Sequence, residues 1–138
     1  MIATNSVANI KQDSATLNVA QEEFMPTSKT PKPQQAVRGS ETGRPIMALL
    51  DLLGRRWALR IIWELRSAPL SFRELQDRCD QMSPTVLNQR LRELRETRIL
   101  EIAETGGYTL SLSGKKLLDA MMPLWQWSEE WGASLTEE

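Results

Sequence analysis

Residues 71 to 98 read Ser71-Phe72-Arg73-Glu74-Leu75-Gln76-Asp77-Arg78, then Cys79-Asp80-Gln81-Met82, then Ser83-Pro84-Thr85-Val86-Leu87-Asn88-Gln89-Arg90-Leu91-Arg92-Glu93-Leu94-Arg95-Glu96-Thr97-Arg98. Two short helical patterns meet at a tight connection, and the second is studded with arginine. Ser71 with Glu74 three residues later forms a capping-box signal, in which each side chain bonds the other residue's backbone N–H. Ser83 followed by Pro84 marks a second helix start, because Ser caps free donors and Pro is pre-set in φ for the first helical position. The pair reads as a helix-turn-helix, which points to the major groove of DNA.

On a wheel of ~100° per residue, Leu87, Leu91 and Leu94 share one stripe of the second helix, with Val86 at its margin. The opposite side carries Thr85, Asn88, Gln89, Arg92 and Glu96. Asn and Gln can pair two-pronged with adenine, Arg with guanine, and a Thr methyl can touch the thymine methyl. Arg90 sits beside the apolar stripe, as a buried-edge ion pair or a phosphate contact. An amphipathic helix with polar residues outside is also the pattern of a plain solvated face, so the surrounding elements decide between the two.

Past the helix, Ile99 to Leu112 reads as two short strands around Gly106-Gly107, a pair that tolerates the positive φ of a tight hairpin. Ser111 caps a further apolar-periodic segment, Lys115 through Met122, which Pro123 is expected to interrupt before Leu124, Trp125, Trp127 and Trp131. The expected order is three helices, a recognition helix, a wing and a long broken helix. The fold class is mainly α with a small β-hairpin wing, a winged helix-turn-helix.

In this order the sequence resembles the HxlR-type winged-helix transcriptional regulators, relatives of the MarR group. The resemblance is carried by Leu53-Gly54-Arg55-Arg56-Trp57, Ile62-Trp63-Glu64-Leu65, Phe72-Arg73-Glu74-Leu75, the run Ser83 to Leu94, and Tyr108-Thr109-Leu110-Ser111. It covers about residues 44 to 132. What it implies is a homodimeric bacterial DNA-binding regulator with no catalytic activity and no cofactor, in which Ser83 to Arg95 matches the recognition helix and Glu104 to Tyr108 the wing. Many sensing members carry a cysteine just before the first helix, where this chain has Gly43, Arg44 and Pro45. The hairpin is also shorter than in many members.

Composition bounds the reading independently. The chain has 138 residues, enough for one domain of ordinary size and a tail. Its 41% hydrophobic content contains no apolar run of membrane-spanning length, and its N-terminus offers no secretory apolar segment, so a cytoplasmic location is expected. The net charge of −1 hides an uneven distribution: residues 44 to 98 carry eleven Arg against seven acidic groups, and residues 99 to 138 carry two Lys against seven. Positive charge thus gathers at the helix-turn-helix, as backbone phosphates require. The wing has no Lys or Arg, so it is expected to brace or to touch a phosphate weakly. The DNA-binding set expected from the sequence is Ser83, Thr85, Asn88, Gln89, Arg92 and Arg95, with Arg55, Arg73, Lys115 and Lys116 as further contacts.

A single short helix contacts too few base pairs for useful specificity, so a homodimer on a palindromic operator is expected. Ile46, Leu49, Leu50 and Leu53 make one candidate dimerisation stripe, and Leu124, Trp127 and Trp131 another. Core packing is the competing explanation for the C-terminal tryptophans. Trp57 and Trp63 read as core residues on the second helix. A crevice between that helix and the Trp-rich C-terminal one is a candidate site for an aromatic effector.

Cys79, the only cysteine, reads as a structural residue in the turn. The chain has no histidine, no phosphate-binding glycine loop and no paired-cysteine zinc spacing, which argues against an enzyme and against a bound metal. A winged-helix module that binds protein, with its arginines merely solvated, is the alternative from another class. Residues 1 to 43 read as a disordered tail with a faint helical pattern over Thr16 to Met25, the domain as residues 44 to 132, and residues 133 to 138 as a C-terminal tail.

Overall fold

The Ser71 Oγ accepts a hydrogen bond from the Glu74 N–H at 3.1 Å, and the Glu74 carboxylate accepts from the Ser71 N–H at 2.8 Å. The Ser83 Oγ accepts from the Val86 N–H at 3.4 Å, with Pro84 in the first turn. In the computed structural model, which describes residues 30 to 38 and 40 to 136, these caps open α3 (Phe72–Arg78) and α4 (Pro84–Glu96). Before them come α1 (Pro45–Leu53) and α2 (Ala58–Glu64); after them β1 (Leu100–Ile102), β2 (Tyr108–Leu110) and α5 (Leu112–Leu135). The chain is therefore a mostly helical winged helix with a two-stranded antiparallel hairpin.

The stripe of α4 is the centre of the core. Leu87, Leu91 and Leu94 pack with Ile61 and Ile62 of α2, Leu75 of α3, and Ile99, Leu100 and Leu110 of the hairpin. Each such side chain contributes about 1.5–3 kcal/mol by leaving water, so the helix is held by its inner face while its outer face stays open. Between α3 and α4, Asp80 and Gln81 take left-handed backbone angles, φ 57° and 56°. That reverses the chain and turns Cys79 and Met82 inward, where both are buried. Burial pushes the Cys79 thiol pKa up, favouring the protonated thiol over the thiolate.

The hairpin pairs Leu100 with Leu110, Glu101 with Thr109 and Ile102 with Tyr108. The two glycines divide the work that sequence had assigned to them jointly. Gly106 alone takes a positive φ, 96°, closing the turn onto the Ala103 carbonyl at 2.9 Å. Gly107 instead lies against Leu70, where a Cβ would come within 2.7 Å of the Leu70 carbonyl oxygen. That close approach lets Leu70 and Tyr108 exchange two backbone hydrogen bonds, so β2 lies between β1 and a one-residue bridge at Leu70.

Three expectations need correction. Pro123 does not break the C-terminal helix: α5 is continuous from Leu112 to Leu135. Pro123 and Asp119, whose carbonyl loses its helical partner, are both exposed, while Leu117, Leu118 and Met121 hold the helix against the body. Trp57 is not inside the second helix but caps it, at φ 75°. The domain also exceeds the span of 44 to 132. Pro31 is buried, the Gln34 N–H bonds the Gly43 carbonyl at 2.7 Å, and the Arg38 N–H bonds Asp51 of α1 at 3.3 Å. The Thr16 to Met25 pattern lies outside the described residues. Among the described residues no helix is long and apolar enough to cross a membrane.

Candidate nucleic-acid interface

With its inner stripe buried, α4 presents Thr85, Asn88, Arg92 and Arg95 to solvent. None of these four side chains makes a hydrogen bond or ion pair among the described residues. The Ser83 hydroxyl is exposed too, although its oxygen accepts the capping bond from Val86. An exposed row of an amide, a hydroxyl and two guanidiniums can meet base edges and phosphates without first breaking internal bonds. Arg73 on α3, together with Lys115 and Lys116 in the first turns of α5, is also exposed.

Gln89 differs from its neighbours. It is half-buried, and its Nε2 donates to Glu93 at 3.4 Å, so it is partly turned away from the outer face. Arg55, expected as a DNA contact, is a correction. Its side chain is only 11% exposed, and its guanidinium bonds Glu93 at 2.8 Å and pairs with Asp51 at 3.7 Å. It binds two carboxylates inside the protein, which leaves no face for a phosphate. Arg90 is of the same kind: Nη1 bonds Glu93 at 3.0 Å and Nε donates to the Arg56 carbonyl at 2.8 Å.

Glu93, not among the residues expected from the sequence, receives all three of these side chains and is 2% exposed, the one buried charged residue among the described residues. A signal was present: Val86, Arg90 and Glu93 fall on one strip beside the leucine stripe, where an isolated carboxylate has no solvent.

Below the C-terminal end of α4 a groove of about 750 Å³ is lined by Arg92, Arg95, Arg98, Ile102, Ser111 and Leu112, among others. Three cations, Arg92, Arg95 and Arg98, stand with one carboxylate, Glu96, on its α4 side, whereas the wing adjoining it carries exposed Glu101 and Glu104 and no cation. The interface is therefore electropositive along α4 and the start of α5, and acidic at the wing.

The candidate dimerisation residues separate into two kinds. Ile46 and Leu50 on α1, and Leu124, Trp127 and Trp131 on α5, are all more than half exposed. Leu49 and Leu53 are half-buried, and Leu53 packs against the core. On α5 the exposed stripe extends to Leu135 at spacings of three, four and four, and Trp127 stacks on Trp131 with centroids 5.5 Å apart. Trp125 faces elsewhere and meets Trp63 of α2 at 4.6 Å. Beside that pair, Leu59, Arg60, Met121, Leu124 and Ser128 complete a cavity of about 290 Å³, where a crevice was expected. Arg60 is occupied by Glu64 at 2.9 Å and Asp80 at 3.7 Å, so the cavity is close to neutral.

Comparison with known proteins agrees with this geometry. The family described as HxlR-like helix-turn-helix matches residues 52 to 136. The HTH-type transcriptional regulator YodB of Bacillus subtilis is 31% identical over 97 residues, 64% of this chain and 87% of YodB. YvaP of the same organism, an uncharacterised HTH-type transcriptional regulator, is 30% identical over 88 residues, 59% of this chain and 82% of YvaP. The crystal structure of quinone-bound YodB superposes with a TM-score of 0.57 at 29% identity, covering 62% of this chain and 94% of that one.

Proposed function

The chain belongs to the HxlR-like helix-turn-helix family of transcriptional regulators, and from that premise we propose that it binds a palindromic operator as a homodimer, one α4 in the major groove of each half-site. The observation that carries this reading is the outward row of Thr85, Asn88, Arg92 and Arg95, free of internal partners among the described residues. Thr85, Asn88 and Arg92 read base edges, with Gln89 joining them if it leaves Glu93. Ser83, Arg95, Arg73, Lys115 and Lys116 hold phosphates and set the register. The two apolar stripes, Ile46 with Leu50 and Leu124 with Trp127 and Trp131, join the subunits. The family acts in transcription and not in catalysis.

Selecting duplexes from a random pool with the purified protein tests the reading. A defined inverted repeat is the expected product, and recovery of unselected sequence would favour the protein-binding alternative. Arg92→Ala is expected to cost ~1–3 kcal/mol on the selected operator and to relax preference at one base position. Lys116→Ala is expected to weaken operator and random duplex alike, with preference unchanged. Equal losses of preference in the two variants would contradict the division.

We also propose that a flat, uncharged aromatic effector occupies the cavity beside Trp63 and Trp125. Its volume suits a small ring system, and the quinone-bound state of YodB supports a flat, conjugated ring as the ligand class. Titration with simple quinones is expected to quench tryptophan emission saturably, and Trp125→Leu to abolish that saturation. Emission that stays constant across the titration would remove the effector from this cavity.

A further inference from the structure

Glu93 is an odd residue to find at 2% exposure, because a buried carboxylate strengthens a fold less than an apolar side chain of the same size. Its partners show what it does instead. Glu93 belongs to α4. Arg55, which donates to it at 2.8 Å, lies in the turn after α1 and pairs back to Asp51 of α1 at 3.7 Å. Arg90, one turn before Glu93, donates to it at 3.0 Å and to the Arg56 carbonyl at 2.8 Å. Asp51 in turn accepts the Arg38 N–H from the segment preceding α1 at 3.3 Å. Two independent crosslinks therefore join the outer margin of α4 to the α1–α2 turn. Both use planar guanidinium forks, whose hydrogen bonds fix direction as well as distance.

Apolar packing along the leucine stripe can hold α4 to the core while permitting rotation and sliding about it; directional bonds on a second strip do not permit that. We infer that Glu93 is a positioning residue for DNA recognition: with Arg55 and Arg90 it sets the angle of α4 relative to α1, and thereby the direction in which the outward side chains leave the body. Gln89 connects the same carboxylate to the outer face. Its Nε2 reaches Glu93 at 3.4 Å, a long bond that contact with a base can replace. The inference rests on the DNA-binding reading above, and its experiment has one arm that does not need DNA.

The decisive variant is Arg55→Met with Glu93→Leu, which exchanges that ion pair for apolar side chains of similar size; because Asp51 loses its Arg55 partner as well, the thermal midpoint is expected to fall below the parent's. Spin labels at Arg44 and Thr85, both exposed, report the α1-to-α4 distance within one subunit when the labelled protein is diluted with unlabelled chain. The parent is expected to give one narrow distance distribution and the double variant a broad one. On DNA, without labels, preference for the selected operator over random duplex is expected to fall about tenfold or more, with random-duplex affinity unchanged, because neither residue faces the groove.

Arg55→Lys, which keeps the charge and spans one carboxylate in place of two, is the second variant and is expected to give an intermediate width and an intermediate loss of preference. It carries the test if the double variant does not fold. A distribution as narrow as the parent's in the variant that folds overturns the inference, whatever the DNA result. So does full operator preference in a chain whose distribution has broadened. A parent that selects no sequence from the pool overturns the DNA-binding reading and the recognition role with it, and the distance arm then still reports whether the crosslinks hold α4.

Discussion

Replacing Trp127 and Trp131 together by Glu is expected to give a monomer that retains its helical circular dichroism and binds the operator at least a hundredfold more weakly. Both rings are about half exposed, at 56% and 51%, and neither belongs to the buried core cluster. The fold therefore loses little when they change. An interface loses much: aromatic side chains bury ~150–250 Å² each and are typical binding anchors, each costing about 2 kcal/mol or more when removed. At the proposed interface, where the stripe meets its own copy, two carboxylates add desolvation and like-charge repulsion. A monomer places one recognition helix on DNA in place of two, so the loss of operator binding follows from the loss of the pair. Sedimentation of parent and variant at equal concentration gives the assembly state, and titration of the selected duplex the affinity. A variant that remains dimeric would move the interface away from this stripe.

The second large effect is expected from one methyl group. Gly114 is buried in the first turn of α5, where its N–H donates to the Ser111 Oγ at 2.9 Å. A Cβ there would overlap the Ile99 carbonyl, the same oxygen that accepts the Ser111 N–H at 2.9 Å. Gly114→Ala must therefore push α5 away from the residue that leads into the wing, or give up the cap. Its expected cost is about 2–4 kcal/mol of folding stability, in the range of severe backbone and overpacking changes. Gly132, in the same helix, is the internal control: beyond its chain neighbours and the adjoining backbone of its own helix, nothing among the described residues lies within 4 Å of where its Cβ would stand. Gly132→Ala is expected to stabilise by about 0.5–1 kcal/mol through helix propensity alone. Chemical denaturation of the two variants measures the contrast, and similar midpoints would show that α5 yields more easily than its contacts imply.

Features governed by neighbours in sequence were legible before any coordinates. Ser71 with Glu74 and Ser83 with Pro84 cap helices where their spacing puts them, because a cap is a bond between residues three apart. Leu87, Leu91 and Leu94 are buried because a helical period of 3.6 leaves them no other arrangement around a core. The outward position of Asn88 and Arg92 follows from the same period. What sequence concealed depends on partners far along the chain. Arg55 read as a surface cation, and Glu93, 38 residues on, joins Asp51 in turning it inward. Glu93 was invisible for the reciprocal reason, since a glutamate among arginines on a helix has the composition of a solvated face. The continuity of α5 through Pro123 was hidden as well: a helix breaker acts locally, whereas the contacts that override it come from the hairpin and α2.

Among the described residues β1 pairs with β2 on one side only, so its other side is an open sheet edge. An exposed sheet edge is a template on which further strands can add, and proteins that keep one need a defence. Here the strand is three residues long and carries exposed Glu101 at its middle position, directly before the apolar Ile102. A strand added along it would gain few ladder bonds and would bring its own Glu101 close to this one. The same carboxylate that leaves the wing acidic thus also opposes edge-to-edge aggregation.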